Sequence, residues 1–172
     1  MDTTDARIRD FQPADGEAVV ALSLRAWAPV FGSMEQVLGH EIFALLHGDD
    51  WRDYQARSVR GVLADDAMRV WVAEAGSSVA GAGGSVADFV AATVFDSERR
   101  IGEIAMLAVD PACQHRGLGT ALTEFGTAWL RDAGMRVAMI GTGGDPGHAP
   151  ARRVYAKADY TLIPMARYFK AL

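Results

Sequence analysis

The stretch Glu103-Ile-Ala-Met-Leu-Ala-Val-Asp-Pro-Ala-Cys-Gln-His-Arg-Gly-Leu-Gly-Thr120 decides how the chain is read. Residues 103–109 are an apolar run of strand length, stopped by Asp110 and Pro111, because proline supplies no donor to a sheet ladder. A glycine turn follows over 114–120, and the hydrophobic period then changes. Leu118, Leu122, Phe125 and Trp129 share one helical face, and Gly134 stands where a helix over 117–133 needs its C-terminal cap. A strand passing through a glycine turn into a helix is suited to binding phosphate. The first amides of the helix have no intrahelical acceptor, the dipole adds positive potential, and glycine removes side chains that would hold an anion off.

Upstream of this segment, 8–11 reads as a strand and 14–27 as a helix with Ala18, Val19, Leu22 and Ala26 on one face. Two more helices are predicted over 34–46 and 50–63. Residues 69–73 are strand-like, 76–85 are rich enough in Gly, Ser and Ala to form a loop, and 86–95 make the next strand before a charged turn at 96–100. Downstream come a short buried strand over 137–140, a glycine-rich loop over 141–147 bordering a cleft, and a helix over 150–158 that opens on a proline. Closing strands are predicted over 160–163 and 166–169. Early hairpins and a later strand-helix-strand crossover imply an α/β protein (α+β mixed). Its centre would be a mixed, mostly antiparallel twisted sheet of about six to seven strands flanked by helices.

A chain of 172 residues is expected to form one domain over 1–172. The lone Cys113 cannot form an internal disulfide, and neither a signal-like N-terminus nor an apolar run of membrane-spanning length is evident, so a cytoplasmic protein is expected. A net charge of -5 disfavours nucleic acid and anionic lipid as partners and suits a cationic small molecule. His40, His47, His115 and His148 lack metal-ligand spacing, so no metal is expected.

Two known phosphate loops fail against 114–120. A nucleotide P-loop needs Lys and then Ser or Thr after its second glycine, and a dinucleotide fingerprint needs a third glycine and a later acid. The pattern does match Gln or Arg, x-x-Gly-x-Gly or Ala, through Gln114, Gly117 and Gly119. With the Leu-Ala-Val-Asp-Pro strand end before it and the helix after it, the segment resembles the acetyl-coenzyme A loop of the GNAT superfamily of N-acetyltransferases. A second patch, Ala151-Arg-Arg-Val-Tyr155-Ala-Lys-Ala-Asp-Tyr160, resembles that superfamily's later motif. It departs twice: Asp159 stands where glycine is usual, and His148 where a cofactor-contacting asparagine is common.

The resemblance implies that acetyl-CoA is the co-substrate. Gln114, His115, Arg116, Gly117, Leu118, Gly119 and Thr120 would hold the pyrophosphate, chiefly through backbone amides, and Leu107, Ala108 and Val109 the pantetheine arm. His148 is a further cofactor-contact candidate. An amine must lose a proton to attack a thioester, and Glu103 is the candidate base, alternation placing it on the face of Ala105, Leu107 and Val109. The same position also suits a glutamate merely paired with Arg99 or Arg100. Tyr155 matches the acid that serves the departing thiolate; its helical face with Ala151, Val154 and Ala158 equally describes a core tyrosine. Trp27, Phe31, Trp51 and Tyr54 with Glu41, Asp49, Asp50 and Asp53 form either an acceptor wall or ordinary core aromatics and solvated faces. The expected acceptor is a small cationic amine of the aminoglycoside antibiotic type. A protein or peptide amine, and a catalytically inactive coenzyme A sensor, are the alternatives, and a homodimer is left open.

Overall fold

The computed structural model describes residues 7–74 and 86–172; the loop expected over 76–85 lies outside the described residues. The strands are β1 (Arg7–Asp10), β2 (Arg69–Glu74), β3 (Val86–Asp96), β4 (Ile101–Val109) and β5 (Val137–Ile140). The helices are α1 (Gly16–Leu38), α2 (His40–His47), α3 (Trp51–Ala64), α4 (Leu118–Asp132) and α5 (Ala149–Lys157). One sheet runs β1-β2-β3-β4-β5, antiparallel up to β4, and β5 joins it parallel through the crossover helix α4.

Each face of the sheet buries its own apolar layer. Val19, Val20 and Leu22 of α1 and Val59 of α3 pack on Val72, Phe89 and Ala108, while Leu122 and Leu130 of α4 pack on Val90, Ala92 and Ile104. Trp71 meets Phe125 and Trp129 edge-on at 5.3 Å, so the aromatic positions of the α4 face grip the sheet where the helical period predicts.

Three expectations are corrected. The break expected between the helices over 14–27 and 34–46 does not occur, and α1 continues through Pro29. Proline costs a helix one internal hydrogen bond, and burial of Val19, Val20 and Leu22 before it and Phe31 after it holds the two halves together. The chain turns at Gly39 instead, where φ is 76°. Among the described residues the sheet has five strands, because 160–163 and 166–169 pair with none of them. Tyr160 ties back to the Tyr155 carbonyl and to Thr127, Pro164 lacks a donor, and Leu162, Ile163, Met165 and Tyr168 stay exposed.

The third correction concerns β4. Ala91 pairs with Met106 and Ala92 with Ile104, so Ala105 is an extra, unpaired residue, a β-bulge. Simple alternation would put Ile104, Met106 and Ala108 on one face. Instead Ile104 packs toward α4, and Met106 and Ala108 toward α1 and α3. Glu103 therefore lies on the α1 and α3 side, opposite Leu107 and Val109, which pack toward α4.

Asp88 on β3 is fully buried; its Oδ1 accepts the Asp110 amide at 3.2 Å and its Oδ2 has no partner among the described residues. Burial pushes its pKa from 3.8 up to about 7. The unfolded chain releases this proton near pH 4 and the folded chain holds it to about pH 7, so stability falls as pH rises through that window and levels off above it. Asp88→Asn keeps an acceptor for the Asp110 amide and removes the charge. It is expected to raise the Tm at pH 8 and leave it nearly unchanged at pH 4; thermal melts of the two proteins that run parallel across this range would refute the assignment.

Candidate active site

The cleft begins where two strands part. β5 pairs with β4 only from Ile101 to Ile104, and then ends at Ile140, while β4 runs on to Val109. A space of about 610 Å³ opens between them. Leu107, Ala108 and Val109 form one wall with a free strand edge, and Ile140, Gly141 and Thr142 begin the other. The Ala105 bulge sits at the fork, where it ends the four-residue parallel ladder and re-aims the strand.

At the C-terminal end of β4 the glycine turn closes the cleft, with Gln114, His115, Gly117, Leu118, Gly119 and Thr120 in its lining. Arg116 is exposed and outside it. His115 and Gly117 adopt left-handed φ values of 63° and 81°, a geometry that gathers successive amides into an anion-binding concavity. No side chain caps α4, and its first turn holds no acid, whereas Glu17, Glu41 and Asp53 occupy the first turns of α1, α2 and α3. The positive end of α4 is thus left for a ligand. Gly119 lies where a Cβ would stand 3.5 Å from Val154 and 3.6 Å from Val109, so anything larger than alanine would push into both walls. The Gln114 amide nitrogen donates to the Val109 carbonyl at 3.3 Å, which ties the turn to the strand. Asp110 caps the intervening turn through the Ala112 amide and accepts Arg25 of α1 at 2.5 Å. Burial raises the Asp110 pKa, but that amide and the guanidinium outweigh it and hold the group below the usual carboxylate value.

α5 supplies the opposite wall. Tyr155 lines the cleft, and burial, with the neighbouring Tyr160, pushes its pKa up to about 12, so the phenol keeps its proton at neutral pH. Arg153 and Lys157, a helical turn apart, also line the cleft and add positive charge. Asp159 holds the left-handed turn after the helix at φ 60°, a conformation that aspartate tolerates better than most residues. His148 stands at the N-cap of α5, lines the cleft, and meets Asp145 through its ring Nδ1.

Asp145 organises the loop over 141–148. It accepts from the His148 ring, from Ser33 Oγ of α1 at 2.7 Å and from the Gly147 amide at 3.0 Å. Burial raises its pKa; the donors from Ser33, His148 and Gly147 outweigh that and keep it ionised. Gly147 fits closely against α1, since a Cβ there would stand 2.6 Å from the Ser33 Cβ and 3.0 Å from the Val30 Cα.

Trp27, Pro29 and Val30 of α1 and Gln55 of α3 line the remaining side. Gln55 is 5% exposed, and its Nε2 is buried with no hydrogen-bond partner among the described residues. Among the described residues no carboxylate lines the cleft; Glu103 is half-buried outside the lining, and Glu41, Asp49, Asp50 and Asp53 are absent from it. Asp50 caps α3, and Phe31, Trp51 and Tyr54 pack with Phe43 and His47 into their own cluster, Phe31 stacked on Trp51 at 4.4 Å. Among the described residues no group of His, Cys, Asp and Glu is placed to hold a metal ion.

Sequence reasoning missed Ser33, Gln55 and Asp145. Each acts across a large sequence separation or through burial, neither of which leaves a local pattern. Asp145 alone carried a signal, the short Asp-x-x-His spacing to His148.

A parted β4 and β5 with an uncapped helix after the fork can be compared with known proteins. The acetyltransferase (GNAT) family model matches residues 36–160. The chain belongs to that family. A mycothiol acetyltransferase of Amycolatopsis mediterranei (strain U-32) is 36% identical over 119 residues, which cover 65% of this chain and 38% of the relative. The chain spans less than half the length of such relatives. In fold it resembles AAC(6')-Iy in complex with the bisubstrate analogue CoA-S-monomethyl-acetylneamine (TM-score 0.63, 16% identity, 98% of this chain and 99% of that one). It also resembles the PaiA N-acetyltransferase of Thermoplasma acidophilum in complex with coenzyme A (TM-score 0.61, 12% identity, 90% and 88%).

In this GNAT chain Gly117 is the turn residue on which the amide concavity depends. A side chain at φ 81° costs about 1–2 kcal/mol, which the turn can shed by opening. Gly117→Val is expected to weaken coenzyme A binding about tenfold or more by calorimetry, with the Tm little changed. Unaltered affinity in a folded Gly117→Val protein would remove the turn from the binding site.

Proposed function

We propose that the chain transfers an acetyl group from acetyl-CoA to the primary amine of a small acceptor. The observation that carries this is the fork of β4 and β5, which opens a free strand edge onto the uncapped, acid-free start of α4. Those residues fit acetyl-CoA: the turn amides suit its pyrophosphate, the edge at Leu107, Ala108 and Val109 suits its pantetheine amides, and Arg153 and Lys157 suit its remaining negative charge. When bound, acetyl-CoA supplies the acetyl thioester and leaves as the thiol. Tyr155 gives the proton that the departing sulfur needs, a role matched to a phenol that stays protonated at neutral pH. Trp27, Pro29 and Val30, on the α1 side of the cleft, hold the acceptor's apolar body. Glu103 lies outside the lining and takes no part in the transfer.

An aminoglycoside-type acceptor is supported by the net charge of -5 and the likeness of fold to AAC(6')-Iy. Against a carboxylate-free lining, its extra ammonium groups would be drawn by acids outside the cleft. That apolar wall, with the mycothiol acetyltransferase relatives, favours as a second reading an acceptor of the mycothiol kind.

The test is release of coenzyme A thiol from acetyl-CoA with neamine, spermidine, amino acids and short peptides, at low and high salt. A polycationic acceptor drawn by exposed acids should lose kcat/KM as salt shortens the screening length, which is about 8 Å at physiological ionic strength. A salt-insensitive acceptor selects the second reading. Tyr155→Phe is expected to lower kcat by about 10²-fold with little change in the KM for acetyl-CoA; a wild-type kcat in that variant would exclude the phenol as the acid.

A further inference from the structure

We propose that His148 is the general base of this transfer, its Nε2 taking the proton from the attacking amine while Asp145 and Ser33 fix the ring. The inference rests on the amine-acetylation reading and names the group that makes it work. Four observations support it. The cleft lining holds no carboxylate among the described residues, so its neutral-pH bases are the imidazoles of His115 and His148. His115 is exposed on the phosphate turn and has no side-chain partner among the described residues. His148 is part-buried and its Nδ1 meets a carboxylate oxygen of Asp145. That oxygen can only accept, so the neutral ring carries its proton on Nδ1 and keeps a lone pair on Nε2, where no protein partner is found among the described residues.

Asp145 is itself held from two elements, by Ser33 of α1 at 2.7 Å and by the Gly147 amide at 3.0 Å, and Arg152 of α5 donates to its carbonyl at 3.0 Å. Ser33 and Asp145 are therefore positioning residues. Gly143 leaves room for the ring, since a Cβ there would come within 2.7 Å of it. A base at the residue just before α5 and an acid at Tyr155 within it place proton acceptor and proton donor seven residues apart along one wall of the cleft, about 10 Å in helical rise.

The protons balance. As the amine nitrogen forms its bond to the acetyl carbon, His148 Nε2 takes the proton that nitrogen gives up, and Tyr155 protonates the sulfur as the carbon–sulfur bond breaks. Solvent then carries one proton from the imidazolium to the phenolate, and both residues return to their starting state. Besides Asp145, the charged groups facing the ring's surroundings are Arg152, and Arg153 and Lys157 across the lining.

Two measurements on the full chain decide the matter. The first maps diethyl pyrocarbonate adducts by mass spectrometry: His148 should be modified at low reagent and protected by coenzyme A, and an unmodified His148 would overturn the proposal. The second compares wild type, His148→Asn and Glu103→Gln in thiol release with the amine giving the fastest wild-type rate. His148→Asn can still donate to Asp145 but lacks the base. It should lose about 10²-fold in kcat, keep its KM for acetyl-CoA within about threefold, and lose the acidic limb of the kcat/KM profile, which Glu103→Gln retains. Added imidazole should partly restore His148→Ala. A His148→Asn protein with wild-type kcat, or one that changes only the KM for acetyl-CoA, defeats the proposal. If no amine releases thiol from wild type, the acetylation reading fails, and the adduct map still decides whether Nε2 is the presented base.

Discussion

Everything at the site depends on four residues of parallel pairing and no more. Had β5 followed β4 to Val109, the ladder would have closed over the strand edge at Leu107, Ala108 and Val109, and no cleft would exist. The bulge at Ala105 marks where pairing gives way to divergence. An extra residue on one strand bends it and increases its local twist, so the strand leans away from a neighbour that continues straight. The same residue inverts the faces of β4. Leu107 and Val109 thereby join the α4 core, while Met106 and Ala108 meet α1 and α3, so a strand whose edge lines the cleft remains packed on both faces.

A forked sheet would be an open wound in the core without tethers between its walls, and these are polar and long-range. Arg25 of α1 reaches Asp110 at the end of β4, 85 residues away in sequence, and Ser33 of the same helix reaches Asp145, 112 residues away. One helix thus grips both sides of the fork. Its continuity through Pro29 matters for this reason: a chain broken there would uncouple the Arg25 tether from the Ser33 tether. The close fit of Gly147 on α1 completes the clamp by contact, not charge.

Much of this was legible in the sequence where the determinants are local. The strand stop at Pro111, the left-handed turn at Gly117, the apolar face of α4 and its Gly134 cap all follow from neighbouring residues, and Gly134 indeed adopts φ 87°. Leu107, Ala108, Val109, His148 and Tyr155 were placed by motif and line the cleft. Glu103 shows the limit. Alternation assigns its face correctly only if every residue has a partner, and the bulge two positions on, which depends on the register against Ala91 and Ala92, has no signature within β4 itself. The closing strands failed for the converse reason: 160–169 has strand-like composition, but strand formation requires a neighbour, and none is offered.

Charge placement explains how a protein with a net charge of -5 can keep a cleft whose lining, among the described residues, holds no carboxylate. Screening limits exposed charges to about 8 Å at physiological ionic strength, so the local field at a helix start outweighs the distant total. The chain controls that field by where it omits acids. α1, α2 and α3 carry Glu17, Glu41 and Asp53 in their first turns, which neutralise their own dipoles; α4 and α5, whose starts face the cleft, carry none. A carboxylate does stand close to the start of α5, that of Asp145, and it is held by Ser33, Gly147 and His148. Its charge is therefore directed into the imidazole ring and its neighbouring amide, and the cleft is met by the ring instead. A carboxylate beside the cleft is thereby spent on holding an imidazole and a backbone amide in place, and the lining itself, among the described residues, is left with cations and no acid.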